Sequence, residues 1–349
     1  TGGHIYPALA IYEKIMEKEP KSKILYIGTT DRMEKDIVPK RNIEYIALKT
    51  SGINRKNIFK TIKSLYYFIN AVNESKKIIK DFKPEIVIGV GGYISAPVIY
   101  AAKKLNIKTV IHEQNSVFGL SNKMLLKYSN IIFTSLPNTI EKANKYRNKV
   151  VFSGNPCSEM ALKKEIRKKE ELGFDRSKKL IMIVMGSLGS MVVNQKLKEI
   201  LPNFKNKNYE ILFITGKDYY EEYKDINIKN VKIFPYIEDM VRILKDVDLL
   251  ISRAGATTIS EIIALSVPSI LIPSPYVTEN HQYKNAMDLV NKDAAILVEE
   301  KDLNNLIECV DNLIYDENKL NNIKDNLSKL KINDSASIIY NNIKKLIGE

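Results

Sequence analysis

The segment LIMIVMGSLGSMVVNQKLKEI, residues 180–200, decides the reading of the fold. Leu180–Met185 is an unbroken apolar run of strand length, without the polar alternation of a sheet that faces water on one side. The glycine-rich turn Gly186-Ser187-Leu188-Gly189-Ser190 then leads straight into a helix. A buried strand that passes through glycines into a helix is the repeating unit of a parallel α/β sheet. The same alternation extends in both directions. Strands are predicted at Lys23–Gly28, Ile43–Leu48, Glu85–Val90, Lys108–His112, Asn130–Thr134 and Lys149–Ser153. After the quoted strand they follow at Tyr209–Thr215, Val231–Pro235, Asp248–Ser252, Ser269–Pro273 and Ala295–Val298. Helical patterns such as Pro7–Lys18, Asn57–Asp81, Ala96–Leu105 and Leu120–Tyr128 lie between the early strands.

Two such series in one chain imply two α/β domains with doubly wound parallel sheets. The turn tripeptide Gly154-Asn155-Pro156 marks the seam. The expected division is residues 1–155, residues 156–333, and a closing helix over 334–349 that packs back on the first domain. Thr1-Gly2-Gly3-His4 reads as a strand-to-helix loop with no strand before it, so a first strand is expected to be missing.

The chain has 349 residues, 44% hydrophobic and 27% charged, the proportions of a globular protein and not of a disordered or disulfide-stapled one. A net charge of +13 calls for an anionic partner: a nucleotide, a phosphorylated substrate, an anionic lipid surface or nucleic acid. Two cysteines, Cys157 and Cys309, build no disulfide framework and fit a reducing compartment. The uncharged stretches Ile86–Ala102 and Ile262–Thr278 fall short of the ~20 residues of a membrane span. With no basic–apolar leader at the start, secretion is not expected.

Ligands of parallel α/β domains bind where strand ends pass into helix N-termini. Gly2 and Gly3 allow a phosphate close to the backbone, and Pro7 suits the first turn of the following helix. Gly89-Val90-Gly91-Gly92-Tyr93 lacks the third glycine of a dinucleotide fingerprint, leaving a loop for close approach of a sugar or lipid phosphate. His112-Glu113-Gln114-Asn115 ends a strand with four polar side chains. The Gly186–Ser190 turn is neither a triphosphate P-loop nor a nucleophile elbow, and a diphosphate at its helix N-terminus is the remaining ligand. Ser252-Arg253-Ala254-Gly255-Ala256-Thr257-Thr258 precedes a helix that Thr257 or Thr258 would cap. Glu261, read as lying in its first turn, would suit either the helix dipole or a ribose diol. All three histidines (His4, His112 and His281) lie in such loops. Asp246-Val247-Asp248 resembles a metal–diphosphate motif but precedes its strand, at the wrong edge of the sheet, and is read as structural. The cysteines show no zinc-site spacing.

In order and spacing, TGGHIYPALA at Thr1, DRMEKDIVPK at Asp31, GGYISAP at Gly91, HEQN at His112, GNP at Gly154, GSLG at Gly186, SRAGATTISE at Ser252 and ENHQ at Glu279 resemble the MurG glycosyltransferases over essentially the whole chain. That family moves N-acetylglucosamine from UDP-N-acetylglucosamine to lipid I, forming lipid II for peptidoglycan. The resemblance implies the GT-B fold, with an N-terminal acceptor and membrane-associating domain and a C-terminal domain that binds the nucleotide sugar. It implies no cofactor and no metal. Carried over, Thr1, Gly2 and Gly3 would contact donor or phosphates, Asn115 the sugar and Ser187 the diphosphate. Ile237 would frame the uracil, Ala256, Thr257, Thr258, Ile259, Ser260 and Glu261 would hold diphosphate and ribose, and Gln282 would read sugar hydroxyls. Ser158 stands where many members carry a donor-contacting Arg.

Inverting transfer needs a base, and His4 is the first choice because imidazole titrates near neutrality. Leaving-group charge would fall on backbone N–H groups and helix dipoles. The expected partners are the donor, lipid I and the anionic inner membrane surface, with other cell-wall synthesis proteins also in view and no nucleic acid. The protein would sit peripherally on the cytoplasmic face of the cell membrane. On the helix Asn57–Asp81, Ile58, Ile62, Leu65, Ile69 and Val72 are predicted to face the core, with Lys56, Phe59, Lys60, Lys63, Tyr66 and Tyr67 meeting lipid. The alternatives are another GT-B enzyme using a UDP-sugar, such as a glycolipid glycosyltransferase or a UDP-N-acetylglucosamine epimerase, and a basic nucleic-acid binding protein, which lacks any motif here.

Overall fold

The computed structural model describes residues 2–50, 58–186 and 189–348, and over 58–62 the backbone alone. In chain order the main elements are α1 (Gly2–Lys18), β1 (Leu25–Thr29), α2 (Glu34–Ile37), β2 (Glu44–Leu48), α3 (Ile58–Phe82), β3 (Ile86–Gly89), α4 (Gly92–Lys104), β4 (Lys108–Glu113), α5 (Leu120–Leu125), β5 (Ile131–Thr134), α6 (Asn138–Glu141), β6 (Val150–Phe152) and α7 (Pro156–Lys163). They continue as β7 (Lys179–Val184), α8 (Met191–Ile200), β8 (Tyr209–Ile214), β9 (Val231–Phe234), α9 (Val241–Leu244), β10 (Leu249–Ser252), α10 (Ala256–Leu265), β11 (Ser269–Leu271), α11 (His281–Val290), β12 (Ile296–Leu297), α12 (Leu306–Ile314), α13 (Glu317–Lys329) and α14 (Ser335–Ile347). Every predicted strand is present, and every pairing among these strands is parallel.

The chain divides into two compact units, residues 1–157 with 334–349 and residues 158–333. In the first, β3–β4–β5–β6 form one ladder and β1–β2 another. Val110 and Phe133 of the larger ladder are buried against Ile11 of α1 and Ile339 and Ile343 of α14. The α1–α14 contact is pinned at its edge, where the Tyr340 hydroxyl donates to Glu19 and the Lys344 ammonium pairs with it, both at 2.7 Å.

In the second unit the six strands run β12-β11-β10-β7-β8-β9. Ile181, Ile183, Leu212, Leu250 and Ile270 are fully buried, which is why these strands read as continuous apolar runs. The order reverses direction between β7 and β10. That switch point opens a crevice at the strand C-terminal ends, where the following loops diverge to opposite faces of the sheet.

The structure corrects part of the face assigned to α3: Val72 is buried as predicted, and the side chains of Ile58 and Ile62 lie outside the described residues. Leu65 and Ile69 are not core residues; they are 59% and 51% exposed. The buried stripe is Ser64, Ala71, Val72, Ser75 and Ile79, with Phe68 partly buried against Tyr100. Its partner is α4, whose Ala101 and Ala102 are fully buried. Small residues on both helices permit close approach, and Ser75 satisfies its hydroxyl on the Ala71 carbonyl at 2.6 Å. Side-chain size on α3 is therefore a poor guide to which face is inside. Leu65→Ser and Ile69→Ser should each change unfolding free energy by less than about 0.5 kcal/mol, whereas Ile79→Ala should cost roughly 2–5 kcal/mol. Urea denaturation followed by circular dichroism measures both, and a large loss at Leu65 would restore the original stripe.

Candidate functional site

In the first unit the candidate residues gather at the C-terminal edge of the β3–β6 ladder. The helix α1 begins at Gly2, so Gly2, Gly3 and His4 are its first turn and not the loop expected. Pro7 accordingly sits in the second turn, where it has no N–H to offer the Gly3 carbonyl. Thr1 lies outside the described residues. The His4 imidazole packs on the backbone of Gly91: a Cβ there would stand 2.8 Å from His4 Cδ2 and 2.9 Å from Nε2. Gly91 also has φ +96°, so both the conformation and the contact require glycine. The loop after β3 is thereby shaped around the histidine.

Beside it, the Glu113 carboxylate organises the loop after β4. It accepts the Asn115 N–H and Nδ2 at 3.1 Å each on one oxygen, and Gly119 N–H and Asn122 Nδ2 at 2.9 Å each on the other. Burial pushes its pKa up, and these four donors pull against that rise. Asn115 is thus fixed by its neighbour. His112, fully buried, has its Nε2 3.1 Å from the Gly154 carbonyl and its Nδ1 2.9 Å from Gln114 Nε2. A carbonyl only accepts, so Nε2 carries the proton and Nδ1 accepts from the amide. Gln114 also donates to the Val90 carbonyl at 3.0 Å. One histidine and one glutamine therefore join the ends of β3, β4 and the segment after β6.

In the second unit the candidate residues gather at the switch point. Gly189 has φ +76°, and a Cβ there would lie 2.3 Å from the Thr215 carbonyl oxygen, so the turn before α8 is pressed against the end of β8. Ser187 lies outside the described residues. Across the crevice, α10 starts at Ala256 with Gly255 as its N-cap and no side-chain cap, so neither Thr257 nor Thr258 caps it. Thr257 Oγ1 is buried with no partner among the described residues. Ile259 and Ser260 are buried, and the Ser260 hydroxyl bonds back to the Thr257 carbonyl at 2.7 Å. Glu261 is the sixth residue of α10 and lies in the second turn, so the dipole does not explain it. Burial raises its carboxyl to about 7, Lys164 lowers it and Asp239 raises it. The Ile237 side chain is in the core at 7% exposure, so contact with a base would come from its main chain. Gln282 accepts the Ser274 N–H at 2.9 Å through Oε1, which orients its NH2 group. Before it, Glu279 and Asn280 both hold positive φ, 59° and 50°, a strained entry into α11.

The Glycosyltransferase family 28 N-terminal domain matches residues 1–134, and the C-terminal domain of the same family matches residues 180–339. A UDP-N-acetylglucosamine--N-acetylmuramyl-(pentapeptide) pyrophosphoryl-undecaprenol N-acetylglucosamine transferase of Bacillus cytotoxicus is 42% identical, across 99% of this chain and 97% of that protein. This chain belongs to the MurG glycosyltransferases. MurG of Acinetobacter baumannii superposes with a TM-score of 0.79 at 25% identity, covering 98% of this chain and 96% of that one. A UDP-GlcNAc 2-epimerase from Neisseria meningitidis, bound to UDP-GlcNAc, shares the fold at a TM-score of 0.63 and 15% identity, covering 93% and 100%. The architecture is the GT-B fold of these enzymes.

Within the MurG frame, Asp246 and Asp248 are structural. Their carboxylates accept the Lys169 and Leu180 backbone N–H groups at 2.8 Å each, ahead of β10 and β7. Ser158, standing where the family pattern carries Arg, is buried. The cation that acts on Glu261 is Lys164, just past the end of α7 and itself paired with Asp239. The organising roles of His112, Glu113, Gln114, Asn122 and Arg253 were not assigned from sequence. Four consecutive polar residues at a strand end were the one available signal.

His112 makes the fold pH-dependent. Burial pushes its pKa down to about 4 from 6.5, against the smaller upward pull of the Gly154 carbonyl. The unfolded chain then binds the proton more readily, so stability is complete above pH 6.5 and is lost as pH falls toward 4, by on the order of 3 kcal/mol. Thermal unfolding at pH 7 and pH 5 should show a drop in Tm that His112→Asn reduces. An equal drop in the variant would place the titrating group elsewhere.

Proposed function

We propose that this enzyme transfers N-acetylglucosamine from UDP-N-acetylglucosamine to lipid I, with the donor on the second unit and the acceptor on the first. The observation that carries the donor reading is the switch point between β7 and β10, where α8 and α10 both begin without a side-chain cap. Uncapped helix N-termini present N–H donors and positive dipole ends, suited to the charge that builds on a departing diphosphate. Ser187 and the residues from Ala256 to Ser260 serve the diphosphate, Glu261 the ribose diol, the Ile237 main chain the uracil and Gln282 the sugar hydroxyls. No step is assigned to a metal. On the first unit, His4 removes the proton of the acceptor hydroxyl as that oxygen attacks the anomeric carbon and UDP leaves from the opposite face. Gly2 and Gly3 give the acceptor or donor phosphates access to the first turn of α1, and Asn115, held by Glu113, meets the sugar.

UDP release measured with and without a soluble lipid I analogue tests this reading. Release should require the analogue. His4→Ala should lower kcat by about 10²-fold or more with donor KM nearly unchanged. Gln282→Ala should raise the donor KM while UDP itself binds as before. Turnover of His4→Ala within a few-fold of wild type would remove the histidine as base, and acceptor-independent consumption of the donor would favour an epimerase.

Lipid I is a membrane lipid, yet no helix among the described residues is long and apolar enough to cross a bilayer. The exposed face of α3 supplies a peripheral contact. Leu65, Tyr66 and Ile69 stand out from it, Lys63 is exposed beside them, and Tyr67 lies under the Lys49 and Lys63 ammonium groups at 5.2 and 5.8 Å. Phe59 and Lys60 belong to the same helix by backbone, and Lys56 falls outside the described residues. Apolar groups entering the headgroup layer and lysines meeting anionic lipid are the two contributions such a surface needs. About 1 kcal/mol per Lys gives roughly a hundredfold in affinity for three. Changing Lys56, Lys60 and Lys63 to Glu should abolish sedimentation with anionic vesicles and leave UDP binding intact. Leu65→Ser with Ile69→Ser should weaken it independently of salt. Equal binding to neutral and anionic vesicles would refute the electrostatic part.

A further inference from the structure

Arg253 lies in the loop between β10 and α10 and is 9% exposed. Its guanidinium is engaged in three directions. Nη1 donates to the Ile272 carbonyl at 3.0 Å, Nη2 donates to Ser190 Oγ at 2.7 Å, and Nη2 lies 2.5 Å from the Glu300 carboxylate. Ile272 follows β11, Ser190 is the N-cap of α8, and Glu300 follows β12. The bond to Ser190 spans the switch point itself, because β7 and β10 are neighbours in the sheet and their loops diverge.

The consequence lies at Ser190. A serine at an N-cap ordinarily turns its oxygen onto the amides of the first helical turn. Here that oxygen is taken by Arg253, and α8 has no side-chain cap. The Ser190 carbonyl still starts the helix, accepting from Asn194 at 2.8 Å. The first-turn amides of Met191, Val192 and Val193 therefore have neither an intrahelical partner nor their own cap, and remain available to an anion. The charge of Arg253 is meanwhile neutralised by Glu300, whose side chain is 10% exposed.

We propose that Arg253 is a positioning residue for the departing diphosphate. It draws the Ser190 hydroxyl away from α8, ties the starts of α8 and α10 together across the crevice, and does not touch the donor. A lysine could keep the pair with Glu300 but could not also reach the Ser190 hydroxyl and the Ile272 carbonyl, since it lacks the planar fork. This inference rests on the donor site proposed above.

Calorimetric binding of UDP and of uridine, which lacks the diphosphate, tests it in the full chain with wild type, Arg253→Lys, Ser190→Ala and the double variant. UDP should weaken about tenfold in Arg253→Lys, which frees the Ser190 hydroxyl to cap α8. Ser190→Ala, alone or in the double variant, should stay within about threefold of wild type because no hydroxyl is left to occupy the first-turn amides. Uridine should stay within about twofold throughout. Glu300→Gln, which keeps the shape of the carboxylate, should weaken UDP in the same sense even where Arg253→Lys proves unstable. A loss in the double variant as large as that of Arg253→Lys alone would mean that Arg253 meets the diphosphate directly, and parallel weakening of uridine would mean that it only supports the fold. Either result overturns the proposal while leaving the donor reading in place. Failure of the wild-type protein to bind UDP would overturn both.

Discussion

Parallel pairing is the constraint on which everything else depends. When every strand of a ladder runs the same way, all the C-terminal ends lie along one edge, and each must pass into a connection that starts there. In the first unit that edge receives the Gly91 loop, the His112–Asn115 segment and Gly154, close enough for His112 and Gln114 to bond all three. In the second unit the same rule sets the loops before α8 and α10 side by side. No single loop is specific. The sheet makes them a site by bringing residues far apart in sequence to a common edge.

In each unit the candidate residues include neutral hydrogen-bonding groups held in place by a buried charge. Glu113 and Arg253 are each almost out of solvent, and their hydrogen bonds run to the protein itself: one arranges four N–H groups, the other a serine hydroxyl and a carbonyl. A charge in low dielectric is costly unless its hydrogen-bonding capacity is used, and using it fixes the surrounding loop in one geometry. Donor groups that need no reorganisation as charge develops are what acid–base and leaving-group catalysis require.

The central strands of the six-stranded sheet were legible because both of its faces are buried there, and apolar runs of Val, Ile and Leu then have one interpretation. Residues at loops were legible as a set and less so in their roles. Glycine marks where a backbone must pass closely, but Gly91 does not say that a histidine is what it admits. Likewise the SRAGATT segment announces a helix start, yet it does not say that neither threonine caps that helix or that its arginine holds the N-cap serine of α8 across the sheet. The reading of α3 failed for a related reason. Hydrophobic periodicity finds the apolar face of a helix, and here Leu65, Tyr66 and Ile69 form an outward apolar face while the inward stripe mixes Val72 and Ile79 with Ser64, Ala71 and Ser75.

The return of α14 to the first unit has a consequence for how the protein is made. Ile339 and Ile343 complete a core whose other members, Ile11, Val110 and Phe133, leave the ribosome far earlier. At about 5–20 residues per second, translating the intervening second unit takes roughly 10–35 s. Throughout that interval one side of the β3–β6 ladder lacks the part of its cover that α14 supplies, while the second unit can collapse as a continuous stretch of chain. The first part of the molecule to be synthesised is thus the last to be finished, and the nascent chain is most exposed to chaperones and to self-association along that uncovered apolar surface.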